Sequence, residues 1–187
     1  MKLTTCLALG AGLIGAATPA AAQNAQDTSG VETAIAATTR ATFVDASGKE
    51  IGTATLVQTS QGVLVEADVR GLPPGEHALH FHEKGQCSAP SFESAGGHYA
   101  PKQNEHGFLV KNGPHAGDMP NVHSLGVTKV EEYNPFVTLS AGGAPLLDAD
   151  GSALIIHAKP DDYKSQPAGN AGDRIACAVI SKSAAGQ

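Results

Sequence analysis

The feature that most constrains the fold is a period of two that runs through much of the chain and then stops. Ile35, Ala37, Thr39, Ala41 and Phe43 alternate with Ala36, Thr38, Arg40 and Thr42. Ile51, Thr53, Thr55 and Val57 alternate with more exposed positions, and so do Val63, Val65, Ala67 and Val69. Successive side chains on a strand point to opposite faces, so this pattern predicts half-buried strands with those residues turned inward. Turn residues separate the runs at Asp45-Ala46-Ser47-Gly48, Ser60-Gln61-Gly62 and Gly71-Leu72-Pro73-Pro74-Gly75. Strand-like text returns at Val122–Val130, Phe136–Leu139, Ser152–Ala158 and Arg174–Ser181. No window carries a helical stripe. Short strands with turns about every ten residues predict an all-β sandwich or barrel of about eight antiparallel strands.

The alternation stops from Glu83 to about Pro120, where Gly, Pro, Ser and His dominate, and again from Lys159 to Asp173. Loops of that length inside a compact domain are uncommon unless they carry function. Six of the eight histidines sit in or beside them. In HALHFHE, His80 and His82 are two apart on a strand, so both imidazoles leave one face while Leu79 and Phe81 enter the core. In SALIIHA, His157 shares the outward face with Ile155 while Leu154 and Ile156 point inward. His98, His106 and His115 follow in the long loop, with Asp118 three residues after His115. A single histidine is usually an ordinary surface or core residue. Six histidines and an aspartate at such positions, in an aromatic-poor chain, suit a metal site far better than solvated polar text.

Composition sets the setting. Lys2 followed by the apolar run Leu3–Ala17 and the small residues Ala20-Ala21-Ala22 reads as an export signal over 1–22. The run is shorter than the ~20 apolar residues a membrane span requires. Cys6 lies at the start of that run and not at its end, which argues against a membrane anchor. Residues 23–30 read as a disordered lead-in and 31–187 as one domain. Loss of Lys2 leaves 11 basic against 18 acidic residues, a balance unsuited to nucleic acid. Cys87 and Cys177 then remain as an even pair, expected to form a disulfide in an oxidising compartment, so the chain is expected to be periplasmic or secreted.

The strings HFHEKGQC, GGHYAPKQNEHG, HAGDMPN, IIHAKPDD and GNAGDRIAC, with their spacing, resemble the copper/zinc superoxide dismutase family of the exported bacterial type. The resemblance implies a Greek-key β-sandwich or flattened barrel whose two long loops are functional. It implies an enzyme that converts superoxide, a small anion, to dioxygen and hydrogen peroxide. Its cofactors would be a copper ion on His80, His82, His98 and His157 and a zinc ion on His98, His106, His115 and Asp118. His98 would bridge the two as an imidazolate and take part in proton transfer. Asp161 would link His80 to His106, and Arg174 would overhang the copper as the catalytic arginine. Cys87 and Cys177 match the family's intrasubunit disulfide. Lys102, Lys159 and Lys164 are candidates for steering the anion, although KPDDYKSQPAGNAGDR lacks the acidic-and-lysine cluster of many animal and plant members. Exported bacterial members include monomers and dimers, so a homodimer stays open.

His77 reads as a satisfied structural histidine and His123 as a surface strand residue. Gly96-Gly97, Gly169 and Gly172 read as turn glycines. A copper-delivery module of the same fold predicts a missing copper ligand, an extra metal-binding domain or spare reactive cysteines. A non-enzymatic metal-binding sandwich predicts loss of Arg174 or His98, and a copper-only relative predicts loss of the zinc set. The sequence has none of these deletions.

Overall fold

The computed structural model describes residues 37–182. The expected export signal and lead-in lie outside them. Nine strands form among the described residues: β1 Thr38–Asp45, β2 Glu50–Gln58, β3 Val63–Arg70, β4 Gly75–His77, β5 Leu79–His82, β6 Val122–Ser124, β7 Val127–Asn134, β8 Ser152–His157 and β9 Arg174–Ile180. Seven of them make one curled antiparallel sheet in the order β5-β8-β9-β1-β2-β3-β7, and β4 pairs with β6. Strands distant in sequence lie side by side, as β1 does with β9 and β3 with β7, which is a Greek-key trait. A 3-10 turn forms at Glu93–Ala95, and among the described residues no helix is long and apolar enough to cross a membrane.

Alternation holds as expected in β1, where Thr39, Ala41 and Phe43 are buried, and in β3, where Val63, Val65 and Val69 are. It inverts in β2. Ala54 and Leu56 are buried there, while Thr53 is exposed and Thr55 only partly covered. The cause is a bulge: Phe43 pairs with Gly52 and Val44 with Glu50, so Ile51 is an extra residue. An extra residue resets which side chains face inward. Two further expectations are corrected. The stretch read as one strand over 122–130 breaks at Leu125-Gly126 into β6 and β7. Phe136–Leu139 forms no strand, apart from a single bridge from Thr138 to Pro145. Leu139 and Leu146 are still buried, plugging the core from a coil that Pro135, Pro145 and Gly142-Gly143 keep from extending.

The main core lies inside the curl, around Phe43, Leu56, Phe81, Leu146, Leu154 and Ile156. A second, smaller cluster covers the other face of β8 and β9, where Phe92 and Ala95 pack on Ala153, Ile155 and Cys177. The faces read as outward are therefore buried as well. All four residues of β5 and all six of β8 are buried. The segment Glu83–Asn121 folds back over them, and it also caps the free edge of β5. Phe81 N–H donates to Gly117 O at 2.9 Å and Tyr99 N–H to Phe81 O at 2.8 Å. Bridges join His82 to His98 and His80 to Asp118. The Cys87–Cys177 disulfide ties the start of this segment to β9, with the Cα atoms 5.7 Å apart.

Candidate metal centre

Backbone pairing brings four imidazoles to one spot. β5 pairs with β8, so His80 and His82 lie beside His157, and the bridge to His82 draws in His98. Each ring commits one nitrogen to the protein. His80 Nε2 meets Asp161 Oδ2 at 2.8 Å, His82 Nδ1 meets Gly96 O at 3.0 Å, and His157 Nδ1 meets Gly172 O at 3.2 Å. A carbonyl can only accept, so His82 and His157 carry their proton on Nδ1 and a lone pair on Nε2. Those two lone pairs face each other at 3.4 Å. His80 Nδ1 and His98 Nε2 are buried with no hydrogen-bond partner. Together the four free nitrogens lie within 4.8 Å of one another.

Burial keeps this group uncharged. Desolvation holds His80 below its ordinary value and His82 well below it, with the other rings adding to the effect on His82. Burial, then the neighbouring His80, bring His98 down to about 4 and His157 to about 3. Neutral nitrogens converging in a buried pocket fit a cation, because orphaned polar atoms and opposed lone pairs are otherwise costly.

A second donor set adjoins the first. Asp118 Oδ1 lies 3.1 Å from His98 Nδ1, 3.1 Å from His106 Nδ1 and 3.4 Å from His115 Nδ1, and the His98 and His115 nitrogens are 3.5 Å apart. A tetrahedral zinc with arms of 2.0–2.2 Å implies ligand separations of about 3.3–3.5 Å. The observed edges, from 3.1 to 3.5 Å, lie within about 0.2 Å of that range. Burial opposes charge on Asp118, but hydrogen bonds from His106, His115, His98 and the Gly107 N–H outweigh it and hold the carboxyl far below its usual range. His106 moves the other way. Burial pulls it down, yet hydrogen bonds to Asp118 and Asp161 prevail and push it up to about 9. His98 belongs to both sets, Nδ1 in this one and Nε2 in the first.

Asp161 stands behind the two sets, with Oδ2 on His80 and Oδ1 on His106 Nε2 at 3.0 Å. Gly169, at φ 65°, closes over this carboxylate, where a Cβ would collide with Asp161 and His106. Arg174 pairs with His157 across β8 and β9 and is half-buried. Its Nη1 donates to Phe92 O and its Nη2 to Gly96 O, both at 2.7 Å. A cleft bordered by Pro90, Glu93, Gly172 and Asp173 leads to it. Of the three lysines, all exposed, Lys159 runs along Gly172, whose carbonyl holds His157. His77 is buried with carbonyl oxygens 2.8 Å from each ring nitrogen, and His123 is exposed opposite Glu76.

Three supporting residues escape a reading of the sequence. Gln166 pairs with the main chain of His106 twice, accepting from its N–H and donating to its C=O at 2.9 Å each. Asn121 exchanges two hydrogen bonds with the Asp161 main chain and donates its own N–H to Tyr163 Oη. Amides and a phenol scattered through loops give no periodic or spacing signal.

Comparison with known proteins gives one answer. A family model described as copper/zinc superoxide dismutase matches residues 50–180. The chain is 51% identical over 146 residues to superoxide dismutase [Cu-Zn] 1 of Aquifex aeolicus, covering 76% of this chain and 86% of the relative. It is 48% identical over 138 residues to superoxide dismutase [Cu-Zn] of Caulobacter vibrioides, covering 71% and 79%. A solved superoxide-dismutase-like protein from Bacillus subtilis superposes with a TM-score of 0.73 at 38% identity, covering 75% of this chain and 97% of that one. On this likeness the chain, a curled Greek-key sheet with two adjoining donor sets, belongs to the copper/zinc superoxide dismutase family, with bacterial members as its relatives.

Proposed function

We propose that the chain disproportionates superoxide, with copper on His80, His82, His98 and His157 and zinc on His98, His106, His115 and Asp118. The observation that carries this reading is the sharing of His98, whose Nδ1 faces Asp118 while its Nε2 is buried without a hydrogen-bond partner. Copper would supply a one-electron cycle in which one superoxide is oxidised to dioxygen and a second, with two protons, is reduced to hydrogen peroxide. His98 would offer Nδ1 to the zinc set and Nε2 to the copper set, and as a shared imidazole it would be the group able to hold a proton at Nε2 and pass it to the product. Arg174, fixed by two carbonyls, attracts and orients the anion beside the His82 and His157 rings. Asp161 fixes the tautomers of His80 and His106, as outer carboxylates do for metal-bound imidazoles. Four protein donors would fill a tetrahedral zinc, which suits a structural role.

Residues 1–22 act in this reading as an export signal, and the domain over 31–187 works in the periplasm or outside the cell. The Cys87–Cys177 bond supports this, since such bonds persist in oxidising compartments. Exposed Phe108, Leu109, Leu125, Tyr133 and Phe136 offer apolar surface that a homodimer would cover, which sedimentation of the purified chain tests.

The deciding experiment is metal analysis of the purified chain together with superoxide consumption. Near-equal copper and zinc are expected, with activity lost on copper removal and regained on its return. Arg174→Ala is expected to keep both metals and lower kcat/KM. A chain that holds both metals and consumes no superoxide would overturn the reading.

A further inference from the structure

One peptide unit touches both working parts of the copper half. The Gly96 carbonyl accepts from His82 Nδ1–H at 3.0 Å and from Arg174 Nη2–H at 2.7 Å. On the opposite side of the same planar unit, the Gly97 N–H donates to Glu83 Oε1 at 3.1 Å. Glu83 holds this segment twice, since its own N–H donates to Gly97 O at 3.0 Å. Its side chain lies against Gly96, where a Cβ would collide with the carboxyl and Cγ. Gly96 has φ 74° and ψ −157°, a conformation that glycine alone adopts readily. Among the described residues, the Glu83 carboxylate makes no ion pair within salt-bridge distance. Its hydrogen-bonding partner is this peptide.

We propose that Glu83 is a positioning residue, acting through the Gly96–Gly97 peptide on His82 and Arg174 together. The inference rests on the assignment of His82 to copper. Because a peptide N–H and C=O are conjugated, a carboxylate on the N–H side raises the electron density of the carbonyl. The carbonyl then draws harder on the His82 Nδ1 proton, which makes Nε2 a better donor and favours copper(II) over copper(I). A carboxylate bonded directly to a ligand histidine has this effect on metal sites, and here a peptide is inserted between them. The same carbonyl fixes one arm of Arg174, so the carboxylate also sets where the anion is held.

Glu83→Gln and Glu83→Ala test the relay. Glu83 is exposed, so both proteins are expected to fold and to load copper and zinc. The amide of Glu83→Gln still accepts from Gly97 but carries no charge, whereas Glu83→Ala removes both. The copper midpoint potential is expected to rise in the order parent, Gln, Ala. In the metal-free protein the Gly97 amide should exchange with solvent faster in the Ala variant, with the Gln variant close to the parent. Copper affinity and kcat/KM in Glu83→Ala should fall by about ten-fold, the lower end for removal of an outer partner. A parent-like midpoint potential in Glu83→Ala overturns the relay. Failure of the copper assignment itself reads differently: the copper(II) paramagnetic spectrum would not respond to His82→Ala.

Discussion

Two lone pairs aimed at each other across 3.4 Å, on His82 and His157 Nε2, repel unless a proton or a cation lies between them. Burial disfavours the proton, bringing His157 down to about 3 and His82 well below its ordinary value. A cation is the partner that would satisfy both, and His80, His82, His98 and His157 together could hold one. His157→Ala is therefore expected to lose copper and turnover while keeping zinc, because His157 is absent from the Asp118 set. Metal analysis of that variant checks it, and parallel loss of both metals would contradict it. Charge near Arg174 sets a smaller effect. Glu93 borders the cleft that leads to the guanidinium and interacts with it electrostatically. In water, unit charges several ångströms apart interact by roughly 0.5 kcal/mol, or about two-fold in rate for an anion drawn to that spot. Glu93→Gln is expected to raise kcat/KM by about two-fold at low ionic strength. The gain should fade towards physiological salt, where the screening length is about 8 Å.

β5 has only four residues, all buried, and it works because chain on every side supports it. β8 pairs one edge, the 97–99 and 117–118 segments cap the other, and Phe92 and Ala95 cover part of the neighbouring face. Phe92→Ala is expected to cost about 3–5 kcal/mol, as for other fully buried aromatics, read as a shift in the urea midpoint of the metal-free protein. Gln166 supports the Asp118 donor set in a comparable way, holding the His106 main chain as a neighbouring strand would. Gln166→Ala should weaken zinc retention by about ten-fold in competition with a chelator, with copper less affected. The strands were legible wherever alternation ran unbroken, as in β1 and β3. They were misread where a bulge at Ile51 reset the phase of β2, and where Leu139 and Leu146 filled the core from a coil. The histidines and Asp118 can be picked out as candidates because ligand chemistry restricts residue type, and the fold brings them together. Gln166, Asn121 and Glu83 cannot, because their roles depend on which main-chain groups the fold brings beside them.

At the scale of the molecule, the disulfide and the donor sets constrain the same region. The Cys87–Cys177 bond spans 90 residues. His98, His106, His115, Asp118, His157, Asp161 and Arg174 all fall between its ends, and only His80 and His82 fall outside. A cross-link of that span removes loop-closure entropy from the unfolded chain worth about 4–5 kcal/mol in the chain-entropy model. It also seats Cys177 in the small cluster with Phe92 and Ile155, so its native effect is local packing beside Arg174. Metal binding stabilises the folded state independently, by mass action on a donor geometry that the unfolded chain lacks. Reduction should therefore lower the unfolding free energy of the metal-free protein by about 4–5 kcal/mol. Such a loss is a large part of the 5–15 kcal/mol typical of a domain. The metal-loaded protein should stay folded after reduction under the same conditions. Urea titrations of both forms, with and without a thiol reductant, read the two effects separately. An unmoved midpoint in the metal-free protein would show that the cross-link constrains a chain already compact when unfolded.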